Sequence, residues 1–293
     1  MTTQSNFKAA FWMGCSLACM LLMTVAGRET TRDLDVFQVM EMRSIIGLMM
    51  LYPLIRRAGG FAAMRTTRPL QHIGRNIVHY IGQFAWLFAL TLIPLAQLIS
   101  IEFTAPIWTA LLAVAFLGEK MNVQKTLAIL LGLVGVVIIV RPGVDAFDIG
   151  QLVVLGAAFA FAVSFTMVKS LTRTETVVSI IFWMLVIQSV IGFVPALYVW
   201  QWPSAHAWLW IVVIAFAGSY AHYCMARAMV HADATVVMPM DFLRVPATAA
   251  LGFFIYAERI DLLTVFGALL ILAGNGLNIF GRRRTTVEAP VGG

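Results

Sequence analysis

The sequence predicts an all-α membrane protein, ten transmembrane helices arranged as two inverted five-helix repeats around a central cavity. Three observations predict it. The hydrophobic set makes up 61% of the residues and the charged set only 12%, against about 25% charged in soluble domains. Apolar runs of about 20 residues, the length that crosses the hydrocarbon as a helix, recur from end to end with short polar breaks. The second half of the chain also repeats the charged landmarks of the first.

The predicted spans are 7 to 26, 36 to 55, 73 to 92, 95 to 117, 124 to 141, 149 to 169, 177 to 200, 207 to 229, 234 to 256 and 262 to 281. The first ends in Thr24-Val25-Ala26, which imitates a signal-peptide cleavage site, but its apolar run is long for that role and further spans follow, so it reads as a retained helix. The second carries Glu41 and Arg43, and the third His79, Tyr80, Gln83 and Trp86. The fourth carries Glu102, Pro106 and Trp108 and exits at Glu119-Lys120. Gly132 and Gly135 in the fifth span, with Gly274 and Gly276 in the tenth, predict close helix packing or a dimer contact. The eighth carries Tyr220, His222 and Arg227, and the ninth holds an acid and a base between two prolines: Pro239, Asp241, Arg244 and Pro246. Trp200, Trp202, Trp208 and Trp210 cluster at the ends of spans seven and eight, as an aromatic belt does.

Placing the N-terminus inside puts Lys8, Arg56, Arg57, Arg65, Arg68, Arg75, Lys120, Lys125, Lys169, Arg173, Arg227 and Arg282 to Arg284 on inner segments, against Arg28, Arg32, Arg141 and Arg259 outside. The positive-inside rule therefore predicts both termini in the cytoplasm. The net charge of +6 sits at helix ends, beside lipid headgroups, which argues against a nucleic-acid partner. Cys15, Cys19 and Cys224 all fall within spans and show neither metal-ligand spacing nor a disulfide framework. No phosphate loop, zinc motif or nucleophile elbow is present, so no cofactor, metal or catalytic residue is predicted.

Residues 75 to 140 lie on 214 to 279 without gaps at an offset of 139. Glu102 then falls on Asp241, Phe103 on Phe242, Glu119 on Glu258 and Gly135 on Gly274. The units are residues 1–143 and 144–282, followed by a tail, 283–293. Because five spans per unit is odd, the second unit enters the membrane in the opposite sense, the arrangement that places a substrate site near the pseudo-two-fold axis and allows alternating access.

Phe103-Thr104-Ala105-Pro106-Ile107-Trp108, Leu117-Gly118-Glu119-Lys120, Gly132-x-x-Gly135-Val136 and Arg141-Pro142-Gly143 resemble the first half of EamA-type members of the drug/metabolite transporter superfamily. Asp241-Phe242-Leu243-Arg244-Val245-Pro246 and Ala257-Glu258-Arg259 resemble the second half. The resemblance covers about residues 10 to 281 and implies the same ten-helix fold. The segment around Asp241 and Arg244 is most similar to the branch containing S-adenosylmethionine uptake and riboflavin transporters. The resemblance also marks Glu119 and Glu258 as a typical position, for which a structural or gating role at the membrane boundary is expected.

Charges inside spans are costly and point to a site. Asp241 and Arg244, at i and i+3, either satisfy each other locally or stand at a helix distorted by Pro239 and Pro246, where transporters expose backbone groups to cargo. Arg244 has no counterpart in the first repeat, where Ala105 occupies the position, so Glu102 has no built-in partner. It pairs with Arg43, or sits protonated, or meets a cationic cargo. Glu41 and Arg43 point to different faces, so Arg43 is expected in the cavity, and Glu41 carries charge coupling or is interfacial. Gln83 and His222 match across the repeats, as do Tyr80 and Ser219, which marks Tyr80, Gln83, Tyr220 and His222 as interior polar candidates. Trp86 and Trp108 either pack or stack on a planar or cationic cargo.

The expectation is a secondary active transporter of the inner membrane, monomer or homodimer, moving a small polar or zwitterionic metabolite, with proton or exchange coupling at Glu102 or Glu41. The alternatives are an intramembrane enzyme using Glu102 and Asp241, or a passive channel. The inverted topology puts those two carboxyls roughly 10 Å apart in depth at 1.5 Å per residue, which disfavours a shared-proton pair.

Overall fold

The computed structural model describes residues 6–105, 107–109, 111, 112, 123–140, 148–171, 174–231, 240, 241 and 243–281. Among them run ten α-helices: α1 (Asn6–Asp33), α2 (Val36–Arg57), α3 (Pro69–Leu92), α4 (Leu95–Glu102), α5 (Val123–Val140), α6 (Ile149–Leu171), α7 (Val177–Tyr198), α8 (Ala205–His231), α9 (Arg244–Tyr256) and α10 (Leu262–Gly281). Short polar side chains start several of them by satisfying orphan amides of the first turn. Asp35 accepts from Phe37 N at 2.8 Å, Thr176 from Ser179 N at 3.2 Å, and Asp261 from Leu263 N and Thr264 N at 3.0 Å.

The segments Phe7–Asp33, Ile149–Val168, Val177–Tyr198 and Ala205–Met225 are long and apolar enough to cross a membrane on their own. Helices α2 and α3 are as long, but they carry Glu41, Arg43 and Arg75 in the protein interior. That is where a membrane protein shelters charge from lipid. Their outward faces are apolar, with Ile73, Ile77 and Ile81 of α3 exposed.

Helix pairing carries the inverted repeat. The main partners are α1 with α8, α3 with α6, α2 with α7, α4 with α9 and α5 with α10. Exchanging each helix with the one five places on maps α1/α8 onto α6/α3 and returns the other three pairs to themselves. A pseudo-two-fold axis requires this pattern. Helices α2 and α7 run antiparallel, since Gly47 faces Leu185 and Gly192 faces Glu41. Helices α5 and α10 approach closely where a Cβ on Gly135 would stand 2.6 Å from the Gly267 carbonyl oxygen, and one on Gly267 2.7 Å from that of Gly135. The partner glycine is thus Gly267, whereas Gly276, expected in close helix packing or a dimer contact, meets none of the described residues within 4 Å.

Two helix ends differ from the sequence expectation. Helix α1 continues to Asp33 and α3 begins at Pro69, so Arg28 lies on a helix rather than on an outer segment, and Arg75, counted with the inner segments at the start of the third span, is buried inside α3. The fourth span is also interrupted, since α4 ends at Glu102 and Phe103 and Thr104 form a turn. The Ile107 amide bonds Thr104 O at 2.9 Å, and the freed Phe103 carbonyl accepts Asn275 Nδ2 of α10 at 2.8 Å. A proline three positions on, as at 106, lacks the amide that would continue the helix; Pro106 itself, like Glu119 and Pro239, lies outside the described residues. Pro246 sits in the first turn of α9, where a missing amide costs no helical bond.

Candidate functional site

The end of α4 and the start of α9 meet in the interior. Glu102, the last residue of α4, accepts Arg244 Nη2 on Oε1 at 2.8 Å and Trp86 Nε1 on Oε2 at 2.7 Å. Arg244, the first residue of α9, also lies 3.8 Å from Asp241 Oδ2 and places its guanidinium over the Phe103 ring, 4.8 Å from the centroid. Glu102 therefore has a partner, and it comes from the opposite repeat. Asp241 and Glu102 share one guanidinium, so the depth offset read from the sequence does not keep them apart. Arg244 stands between them as an ion-pair partner of both.

A cavity opens beside this cluster. Arg43, His79, Gln83, Trp86, Glu102, His222 and Arg244 line it, with Met20, Met23, Phe161, Phe165 and Met184 among its apolar walls. Arg43 donates Nη2 to Gln83 Oε1 at 2.7 Å. His79 and His222 flank the same space, and both ring nitrogens of His79 are buried without a hydrogen-bond partner. The free volume is about 90 Å³, below the roughly 300–1,000 Å³ of small-molecule sites. A metabolite-sized ligand enters only as the lining side chains move apart.

Other sequence candidates lie elsewhere. Tyr80 is buried with its hydroxyl unpartnered, and it shares with Glu41 Oε2, also unpartnered, the space in front of Gly192. A Cβ at Gly192 would stand 2.7 Å from Glu41 Oε2 and 2.9 Å from Tyr80 Oη. Glu41 is therefore interior rather than interfacial. Trp108 packs edge-on against Phe159, and Tyr220 stacks between Phe216 and Tyr223. None of these four residues lines the cavity. Glu258 sits just beyond the end of α9, paired with Arg28 of α1, and accepts the Leu95 amide at the start of α4 at 2.8 Å.

Sequence reasoning passed over Arg75, Asn76 and Arg28. One signal could have found the first: His72, Arg75, His79, Gln83 and Trp86 recur every three or four residues, the spacing of a single helix face. Near the start of that face Glu175, on the connection between α6 and α7, accepts Ser179 Oγ at 2.9 Å and Thr66 Oγ1, with His72 Nε2 at 3.7 Å. Burial pushes the Glu175 carboxyl up, but the hydrogen bonds and the His72 ring outweigh it and hold it below its ordinary value of 4.5.

The sequence profile of the EamA-like transporter family matches the chain twice, over residues 7–141 and 148–280. The chain is 25% identical to an S-adenosylmethionine uptake transporter of Rickettsia prowazekii (strain Madrid E), covering 94% of this chain and 93% of that one. It is 30% identical to a riboflavin transporter of Brucella anthropi over 79% of this chain and 83% of that one. It is 24% identical to a pseudopaline exporter of Pseudomonas aeruginosa over 86% and 88%. A protein of known crystal structure shares the fold, with a TM-score of 0.65 and 19% identity over 96% of this chain and 99% of the other.

Proposed function

Since the chain belongs to the EamA-like transporter family, and is therefore a multi-pass membrane transporter of small polar metabolites rather than an enzyme, we propose that it is a secondary active transporter of the inner membrane with an amino-acid-like or S-adenosylmethionine-like cargo. The observation that carries this reading is the placement of unlike charges around one cavity. Arg43 stands on one wall with the Gln83 amide as its partner among the described residues, and Glu102 and Arg244 stand on another, with Asp241 beside Arg244 outside the lining. A zwitterion meets both needs: its anionic group goes to Arg43 and Arg244, its cationic group to Glu102 or Asp241. Trp86, held by Glu102, offers an aromatic face to a ring or a sulfonium. The relatives that carry S-adenosylmethionine support this cargo class.

Transport proceeds by alternating access of the two repeats, with both termini in the cytoplasm. Coupling runs through the carboxyls. Glu102 has both oxygens engaged, so it exchanges a proton only when the ion pair opens, whereas Glu41 Oε2 is already unpartnered.

The test is uptake of labelled S-adenosylmethionine into proteoliposomes, with and without a pH gradient, after a thermal-shift screen of the purified protein against amino-acid-like metabolites. Cargo-dependent stabilisation and accumulation, both lost in Arg244→Ala, are expected. An Arg244→Ala protein with unchanged cargo affinity would sink the assignment of the site.

A further inference from the structure

Arg43, Arg75 and Arg244 are buried in the helical interior, and their charges are balanced unequally. Arg244 faces both Glu102 and Asp241. Arg43 has Gln83 Oε1, and Arg75 has Asn76 Oδ1 at 2.6 Å, with Arg75 Nε buried and unpartnered. An amide oxygen orients a guanidinium without neutralising it. Among the described residues the remaining interior carboxylates do not reach these two: Glu41 turns Oε2 toward Tyr80 and Gly192, and Glu175 is taken by Thr66, Ser179 and His72. A buried cation with no counter-charge is strongly destabilising. A transiently bound anion would offset that cost.

One face of α3 lines up the groups that would meet such an anion. Arg75, His79 and Gln83 follow each other at intervals of four on the buried face of α3, so Arg75 lies two turns, about 12 Å, along the helix from the Gln83 that positions Arg43. His79 stands between them with both ring nitrogens unpartnered. His79 and His222 line the cavity, and Arg75 lies about one turn beyond His79 on the same face of α3. On the other side of Arg75, the face continues only to His72 and the α6–α7 connection.

Building on the transporter reading above, we infer that Arg75 and His79 form a second anion-binding station, and that the cargo carries a carboxylate or phosphate group passed between Arg43 in the cavity and Arg75 nearer the start of α3. Arg43 and Arg244 recognise the group in the cavity. Arg75 receives it on the way to or from the end of the bundle where α3 begins. The carboxylate and the phosphate share this chemistry and are separated by the choice of probe.

The experiment uses the purified full chain and its thermal unfolding midpoint, with no transport assay. Without ligand, Arg75→Met raises the midpoint, because an uncompensated buried charge is gone; an arginine with a structural task would lower it. Glutarate stabilises the wild type saturably, while its diamide and an equal ionic strength of chloride do not. Inorganic phosphate replaces glutarate in a parallel titration, and the tighter of the two names the group. Arg75→Met raises the half-saturating concentration about tenfold, the loss of one charge-assisted hydrogen bond, and Arg75→Lys recovers part of it. A lowered midpoint in Arg75→Met, an unchanged anion titration in that variant, or a wild type that responds to neither anion overturns the inference. Each of these leaves the Arg244 test of the cargo site standing.

Discussion

Glu102 closes α4 and Arg244 opens α9, and across 142 positions of sequence the carboxylate accepts the guanidinium at 2.8 Å. Each residue stands at a helix end in a different repeat, so the pair joins the two repeats beside the cavity. Trp86 on the second carboxylate oxygen and Phe103 under the guanidinium fix its orientation.

Removing Arg244 strands Glu102 and Asp241 in the interior, and removing Glu102 leaves Arg244 only its longer contact to Asp241, so either loss costs up to about 3–5 kcal/mol. Glu102→Gln and Arg244→Met are each expected to lower the unfolding midpoint strongly. The double variant is expected to lose less than the sum of the two. A double-mutant cycle on purified protein measures the difference; strictly additive losses would show that the contact is not energetically coupled.

Glu175 makes stability depend on pH. Its carboxyl is held below 4.5 in the folded chain, so its contribution is fully present above that value and is lost as pH falls through the lower folded value. The wild-type midpoint is expected to drop as pH falls below about 4.5, with Glu175→Gln showing a flatter profile and a lower midpoint at neutral pH. Parallel profiles for the two proteins would contradict the role given to Glu175.

The helices and their inverted order were readable because apolar run length and the offset of 139 residues are properties of the sequence itself. What was not readable depends on tertiary contact. Spacing shows Asp241 and Arg244 as neighbours at i and i+3, yet Arg244 lies closer to Glu102, which no spacing could indicate. Arg28 looked like a segment charge beyond the first span and Arg75 like an inner-end charge of the third, because a charge just inside a helix end and one just outside it give the same pattern; burial alone tells them apart. The glycine at 135 was visible, but its true neighbour, Gly267, follows from how α5 and α10 cross.

Ala257 ends α9 in the left-handed conformation, with φ 52° and ψ 29°, and the next amide, of Glu258, bonds Gly252 O at 3.0 Å. A β-carbon costs about 1 kcal/mol there, and glycine avoids it. Ala257→Gly is expected to stabilise the protein by about that amount, read as a higher unfolding midpoint. A lower midpoint would mean that the left-handed cap does not persist in the membrane-extracted protein.

One guanidinium holds together the end of the bundle to which α1 leads. Arg28 pairs with Glu258, donates Nη2 to Leu90 O at 3.0 Å and to Ile93 O at 2.8 Å at the end of α3, and lies 5.0 Å from the centroid of the Tyr256 ring. Glu258 in turn accepts the Leu95 amide at the N-terminus of α4, where a carboxylate is favoured by the helix dipole. Helices α1, α3, α4 and α9 therefore separate at this end only if the Arg28 and Glu258 contacts open. Gly252 contributes by lacking a side chain where the Glu258 carboxylate lies, so Gly252→Ala displaces the same group without removing its charge. In a chain with Cys15, Cys19 and Cys224 replaced, a thiol introduced at Leu87 on the cavity wall reports access from that face to an impermeant maleimide. Labelling is expected to accelerate in both Glu258→Gln and Gly252→Ala. Acceleration in neither would show that the Arg28 and Glu258 pair is a structural tie and that the closure of this end is governed elsewhere.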